Sequence, residues 1–121
     1  MEVTSRSIVL PPEEHNLMDA VRSRLDASYD ETITLAALAR EFHISSCHLA
    51  HAFKAAYGYA PLHYITRRRI GEAQTLLIDT ALPITEIAIR TGYNSSSYFN
   101  KAFHKITGMS PRDYRKAYRK I

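Results

Sequence analysis

The residues of this chain best suited to chemistry are a single cysteine and the histidines around it. Cys47 and His51 stand four residues apart, with His43 and His48 close by in the sequence. Four residues are about one helical turn, so the thiolate and the imidazole could share a helix face, as zinc ligands do. A thiol near a helix start and beside a histidine is also a candidate redox switch. Because no second pair of ligands accompanies them, we expect no metal site.

Signatures of catalysis are missing from the sequence. It contains no glycine-rich phosphate loop, no evident pair of carboxylates and no serine in an activated arrangement. A cysteine nucleophile with histidine as base would need a cleft, whereas the helix pattern below places Cys47 on an exposed face. We therefore expect neither an enzyme nor a bound cofactor.

The charge is distributed unevenly along the 121 residues, whose formal net charge is +4. Residues 1–30 hold three Lys/Arg and six Asp/Glu, a balance of −3, whereas residues 31–121 hold thirteen against six, a balance of +7. A basic body after an acidic start favours a polyanionic partner such as nucleic acid. Charge alone is weak evidence, because many soluble domains are mildly basic.

Composition narrows the class of protein further. Hydrophobic residues make up 45% of the chain, which is enough for a globular core. No apolar stretch approaches the length of a membrane span and no signal-peptide pattern is present, so we expect no membrane partner. One cysteine excludes an intramolecular disulfide and suits a reducing cytoplasm.

The middle of the chain recurs in its last third, about fifty residues later. Ala52-Phe53, Gly58, Pro61 and Tyr64 recur as Ala102-Phe103, Gly108, Pro111 and Tyr114. Upstream, Leu38-Ala39 recurs 49 residues later as Ile87-Ala88, whereas the pairs above recur after 50 residues. The second copy therefore holds one extra residue between these positions, which we place at its Gly92 turn. Each copy has a short helix, a tight turn, a longer helix, then Gly and Pro. This is the outline of a helix-turn-helix unit.

Apolar periodicity and capping residues predict an all-α fold of seven helices, with no strand-like alternation beyond residues 8–10. The first helix, 13–29, has Leu17, Val21, Leu25 and Tyr29 on its apolar stripe. The second helix spans 35–42, and the third is capped by Ser45 or Ser46 and ended by Gly58. The fourth helix spans 61–79, the fifth runs from Pro83 to Gly92, and the sixth runs from Ser95 to Gly108. The seventh helix spans 112–120. We expect a flexible lead or linker remnant at 1–12, a first subdomain at 13–60, a linking helix at 61–80 and a second subdomain at 81–121.

The linking helix is long enough to set a spacing. Its nineteen residues span roughly 29 Å, close to the roughly 34 Å between major grooves on one face of DNA. Its basic run ends at Arg69, which we expect to lie partly inward and to pair with an acid such as Glu72 or Glu41. A structural role and a DNA-contacting role are equally open for this residue.

A further set of motifs runs through both copies. The second copy carries Ile84-Thr85-Glu86-Ile87-Ala88, Gly92-Tyr93, Tyr98-Phe99, Phe103, Thr107-Gly108, Ser110-Pro111 and Tyr114-Arg115, which look like the signature of the AraC/XylS-type transcription regulators. The first copy and linking helix match through Leu35, Leu38-Ala39, Ile44-Ser45, Leu49, Phe53, Gly58, Pro61, Tyr64-Ile65, Arg69-Ile70, Ala73 and Leu76-Leu77. The resemblance covers about residues 13–120.

The resemblance implies two helix-turn-helix, homeodomain-like subdomains joined by a long helix. It implies a sequence-specific regulator of transcription that binds double-stranded DNA in the bacterial cytoplasm, at the nucleoid. Most such regulators are activators that touch RNA polymerase, and many carry a separate N-terminal effector or dimerisation domain. We expect no such domain within these 121 residues, which resemble either an excised C-terminal part of a longer regulator or a short stand-alone member.

In a helix-turn-helix unit the second helix reads bases from the major groove. The outward and family-matched positions predicted to read bases are Ser46, Cys47, Ala50, His51, Asn94, Ser96, Ser97, Asn100 and Lys101. Asn can pair with adenine and Lys can reach the acceptors of guanine. The first copy lacks the Arg or large aromatic that many members of the family place on this face, which weakens its expected share of specificity.

A second set is predicted to contact DNA phosphates at the groove edges. Its members are Arg40, Ser45, Lys54, Arg68, Arg90, Ser95, His104 and Lys105. Plainer explanations stay open for some of these residues: Ser45, Ser46 and Ser95 also suit helix caps, and Cys47 and His51 suit an ordinary surface. The C-terminal set of Arg112, Arg115, Lys116, Arg119 and Lys120 is most simply a solvated helix face, with DNA contact as the second interpretation. A protein-interaction module built from the same units is the remaining alternative.

Overall fold

The computed structural model describes residues 10–119, and over that range the chain forms seven α-helices and no strand. The helices are α1 (Pro12–Ala27), α2 (Leu35–Glu41), α3 (Ser46–Tyr57), α4 (Pro61–Asp79), α5 (Ile84–Arg90), α6 (Ser96–Thr107) and α7 (Pro111–Tyr118). The all-α prediction with two helix-turn-helix subdomains is confirmed. Most of the predicted lead, and Lys120, lie outside the described residues. No described helix has both the length and the apolarity that a membrane crossing requires.

The described chain divides into two compact units. The first holds residues 10–28 and 33–65, and the second holds residues 29–32 and 66–119. Helix α4 begins in the first unit and continues into the second, as a linking helix must. The finer subdivision into 13–60, 61–80 and 81–121 stays a prediction.

The first unit packs its α2–α3 pair against α1. Each of these helices places its apolar side chains three or four residues apart, which gives it one inward face. The fully buried side chains are Met18, Val21 and Leu25 of α1, Leu38 and Ala39 of α2, and Leu49 and Phe53 of α3. The predicted α1 stripe is wrong at both ends: Met18 is fully buried where Leu17 was expected, and α1 ends at Ala27, before Tyr29.

The second unit repeats this arrangement around two phenylalanines. Phe99 and Phe103 are fully buried on α6 and pack with Ile70, Ala73, Leu77, Ile87 and Ala88. The ring of Phe103 meets the ring of Tyr114 edge to face, with centroids 5.3 Å apart. Its counterpart Phe53 meets Tyr64 in the same way at 5.5 Å. This shared core explains why the aromatic positions recur in the sequence.

The turns between the paired helices show where the two copies differ in length. The amide of Ile44 donates to the carbonyl of Ala39 at 3.0 Å, and that of Tyr93 donates to the carbonyl of Ala88 at 2.9 Å. The turns are therefore equivalent up to this point, and His43, with φ 60°, takes the place of Gly92, with φ 102°. The extra residue of the second copy is Asn94, just before α6, and its predicted placement at the Gly92 turn is wrong.

Arg69 holds the start of the second unit together. Its Nε donates to the carbonyl of Tyr29 at 2.6 Å and its Nη2 to that of Glu31 at 2.8 Å, while its guanidinium lies 5.2 Å from the Tyr93 ring. The predicted pairing with Glu72 or Glu41 is wrong. Loop carbonyls left unpaired after α1 accept the guanidinium instead. Glu41 accepts from Arg24 at 3.0 Å.

Candidate nucleic-acid interface

The outer face of α3 carries the residues predicted to read bases in the first unit. Cys47, His51 and Lys54 are exposed, and Ser46 and Ala50 are half-buried. The opposite face buries Leu49 and Phe53, which anchors the helix through its core side. The predicted outward face of α3 is therefore the outward face in the structure, and DNA contact by its members stays a prediction.

The outer face of α6 exposes more polar side chains than that of α3, although both helices have 12 residues. Its exposed polar and basic residues other than Tyr98 are Ser96, Ser97, Asn100, Lys101, His104 and Lys105, and Asn94 is exposed just before the helix. Neither α3 nor α6 contains an Asp or Glu. A helix with hydrogen-bonding side chains, two lysines and no carboxylate presents no repulsive charge to a polyanion. The arrangement therefore suits insertion into a groove of nucleic acid.

Serine caps fix the start of both helices. The Ser45 hydroxyl accepts from the His48 amide at 3.0 Å, and that of Ser95 accepts from the Ser97 amide at 3.1 Å and the Tyr98 amide at 3.4 Å. Ser45, and not Ser46, is the cap of α3. The capping role is thus shown for both serines, while phosphate contact by the same residues stays a prediction.

The cations predicted to contact phosphates differ in how they are held. Arg40 is exposed near the end of α2. Arg90 is exposed and pairs with Glu86, one turn earlier, at 3.0 Å. Arg68 is half-buried, with its guanidinium 4.7 Å from the Tyr29 ring. Because these side chains have different local contacts, their contributions to DNA binding need not be equal.

The histidines and the cysteine of the first unit do not converge. His48 Nε2 lies 2.5 Å from Glu14 Oε2 on α1, so it points away from the outer face of α3. Cys47 is exposed and free. Among residues 10–119, no three His, Cys, Asp or Glu side chains form a group that could hold a metal ion.

Tyr98 is a surface residue outside the predicted DNA-contacting sets. The sequence predicts either Tyr98 or Phe99 on the buried side of α6, and in the structure Phe99 is fully buried whereas Tyr98 is 70% exposed. Two adjacent residues lie about 100° apart around a helix, so only one can face inward. Spacing to Phe103 could have decided between them, because positions four apart share a face.

An open cleft of about 560 Å³ lies beside α6, and we name it the α6 cleft. Its lining includes Thr66, Tyr93, Asn94, Tyr98, Lys101 and Lys105. The Tyr93 ring is held in place, with its centroid 5.5 Å from that of Phe99. Burial raises the pKa of the Tyr93 hydroxyl, and the nearby Arg69 partly opposes this rise. Tyr93 therefore stays neutral at physiological pH and adds no negative charge to the cleft.

Arg115 is half-buried and does not lie on a solvated helix face, so the prediction for this residue is wrong. Its Nε donates to the carbonyl of Leu77 and its Nη2 to that of Thr80, both at 3.1 Å. Burial lowers the pKa of this guanidinium. Arg115 donates hydrogen bonds to carbonyls at the end of α4, where a cation also interacts favourably with the negative end of the helix dipole.

Comparison with known proteins agrees with this geometry. Residues 38–117 match the family model described as "Helix-turn-helix domain". The arabinose operon regulatory protein of Escherichia coli strain K12 is 30% identical over 115 residues, which cover 95% of this chain and 39% of that protein.

Two solved structures share the fold. The C-terminal domain of AraT, a response regulator from Geobacillus stearothermophilus, superposes with a TM-score of 0.83 at 32% identity, covering 93% of this chain and 90% of that one. The DNA-binding domain of AdpA, a global transcriptional factor, was solved in complex with a target DNA. It superposes with a TM-score of 0.79 at 28% identity, covering 84% of this chain and 91% of that one.

The relatives are regulators and not enzymes, as expected. The chain spans between 27% and 39% of the length of these curated relatives. The paired helix-turn-helix units, the family model and the matching folds lead to one assignment. The chain belongs to the AraC/XylS family of transcription regulators and contains that family's helix-turn-helix domain.

Proposed function

We propose that this chain binds double-stranded DNA sequence-specifically and regulates transcription, with α3 and α6 inserted into successive major grooves. The observation that carries the proposal is the outer face of α6, where polar and basic side chains stand exposed on a helix without a carboxylate. The AdpA domain, which shares this fold, was solved in complex with a target DNA, which supports binding of DNA by this chain. We also propose that the protein activates transcription by contacting RNA polymerase and that it acts at the nucleoid, in the cytoplasm.

In this proposal the two units contribute unequally to the recognition of bases. On α6, Asn100 offers a donor and an acceptor to adenine, and Lys101 offers donors to guanine. On α3, Cys47 and Ala50 offer only apolar contact, which suits the methyl group of thymine. We therefore assign most base discrimination to α6 and a smaller share to α3.

The roles within α6 can be separated by two lysine variants. Lys101→Ala should weaken binding to a selected duplex by about 1–3 kcal/mol and relax sequence choice, because it removes a base contact. Lys105→Ala should weaken selected and scrambled duplexes alike and reduce the slope of log affinity against log salt by about one, because it removes a phosphate contact. The measurement is fluorescence anisotropy at several salt concentrations, with the selected duplex enriched from a random library.

Wild-type protein provides the first control. Its affinity should fall steeply with salt and should be higher for the selected duplex than for the scrambled one. Salt-independent binding, or no binding, would refute the proposed function. If the two alanine variants behaved alike on both duplexes, the assigned roles of Lys101 and Lys105 would be wrong.

A further inference from the structure

Tyr98 is a large aromatic residue that is not packed in the hydrophobic core. It is 70% exposed, although it lies three residues after the Ser95 cap, in the first turn of a well-anchored helix. Lys101 and Lys105 follow it at intervals of three and four residues, so the three side chains share one side of α6. This side forms a wall of the α6 cleft. The position of Tyr98 is thus set by the same helix that we propose to enter the groove.

The lining of the α6 cleft combines two kinds of surface. The rings of Tyr93 and Tyr98 and the methyl group of Ala102 are apolar, whereas Lys101 and Lys105 are cationic. Thr66 and Asn94 add hydrogen-bonding groups. A ligand that fits must therefore offer an apolar face beside a negative charge.

The backbone of a nucleic-acid strand has this combination, because each deoxyribose presents a largely apolar face next to an anionic phosphodiester. Tyrosine hydroxyls are among the groups that donate to DNA phosphates. We propose, resting on the DNA-binding function above, that the α6 cleft seats the sugar–phosphate backbone of one strand. The Tyr98 hydroxyl donates to a phosphate oxygen there, and its ring packs against the sugar.

This assignment adds Tyr98 to the residues that position the protein on DNA. A phosphate contact orients α6 in the groove without reading sequence. Tyr98 is neutral, so its contact adds affinity without displacing a counterion, unlike the contact of Lys105. The two residues should therefore differ in their effect on salt dependence, which provides a specific signature.

The test compares Tyr98→Phe and Tyr98→Ala with wild-type chain on the selected and scrambled duplexes. Tyr98→Phe should weaken binding to both roughly tenfold, because it removes one hydrogen bond to a charged group. Tyr98→Ala should weaken both further, and neither variant should change the salt slope. Tyr118→Phe is the matched control, because Tyr118 is another exposed tyrosine of the second unit, at 54%. It should bind as wild type does.

Replacing single phosphates of the selected duplex by neutral methylphosphonates identifies the contacted position. One replacement should weaken wild type and have little effect on Tyr98→Phe. If wild type binds DNA in a salt-dependent way but both Tyr98 variants bind equally well, this inference is overturned and the proposed function stands. If wild type does not bind DNA, both are overturned. Circular dichroism of each variant confirms that it is folded, as expected for changes at an exposed residue.

Discussion

Replacing Phe103 by alanine is expected to lower the free energy of unfolding by about 3–5 kcal/mol. Phe103 is fully buried at the centre of the second core, between Phe99 at 5.8 Å and Tyr114 at 5.3 Å between ring centroids. The lost ring would leave a cavity that these neighbours cannot fill without moving. Since small domains have only about 5–15 kcal/mol of net stability, the second unit would be largely unfolded under mild denaturing conditions.

Urea denaturation followed by circular dichroism measures this effect. Phe103→Leu is the control, because it retains most of the apolar volume and should cost much less than the alanine variant. DNA binding should be lost together with the fold of α6. An alanine variant as stable as wild type would contradict the packing described for the second unit.

Replacing Gly92 by alanine is expected to cost at least about 2 kcal/mol of stability. The backbone at Gly92 has φ 102°, which L residues rarely adopt. A Cβ built there would lie 2.9 Å from the Asp30 carbonyl oxygen and 2.9 Å from the Arg69 guanidinium. The backbone oxygen cannot move aside easily, and Arg69 is already held by the carbonyls of Tyr29 and Glu31. The losses of stability from the backbone strain and from the steric clash should therefore add.

Gly108→Ala separates these two causes. Gly108 also has a positive φ, 81°, but a Cβ there would meet nothing within 4 Å. It should therefore cost only the strain of a left-handed alanine, about 1–2 kcal/mol. The comparison uses the midpoints of urea unfolding for the two variants. Equal losses would contradict the close approach of Arg69 and Asp30 to the Gly92 turn.

The internal repeat explains why the fold could be predicted from the sequence. The recurrence of Phe53 as Phe103 and of Gly58 as Gly108 placed both helix-turn-helix units and their caps correctly, because core spacing and helix ends follow local rules. The extra residue was misplaced because glycine is the usual choice for a positive φ. His43 adopts a positive φ without glycine, so the two turns match as far as Ile44 and Tyr93, and Asn94 is the addition that follows.

Contacts that depend on tertiary structure were harder to predict. Arg69 and Arg115 have long side chains that reach backbone carbonyls 35 to 40 residues away in sequence, and no local pattern marks those acceptors. The outward faces of α3 and α6 were identified because their periodicity is local. Tyr98 was missed because adjacent aromatic residues compete for one inward position.

The central claim is that α3 and α6 enter successive major grooves, and footprinting two matched variants tests it most directly. Cys47→Glu and Ser97→Glu place a carboxylate at equivalent exposed positions of the two helices. Hydroxyl-radical footprints of wild type on the selected duplex should show two protected segments about ten base pairs apart. Cys47→Glu should lose one segment and Ser97→Glu the other. A single protected segment, or loss of the same segment in both variants, would contradict the proposed mode of binding.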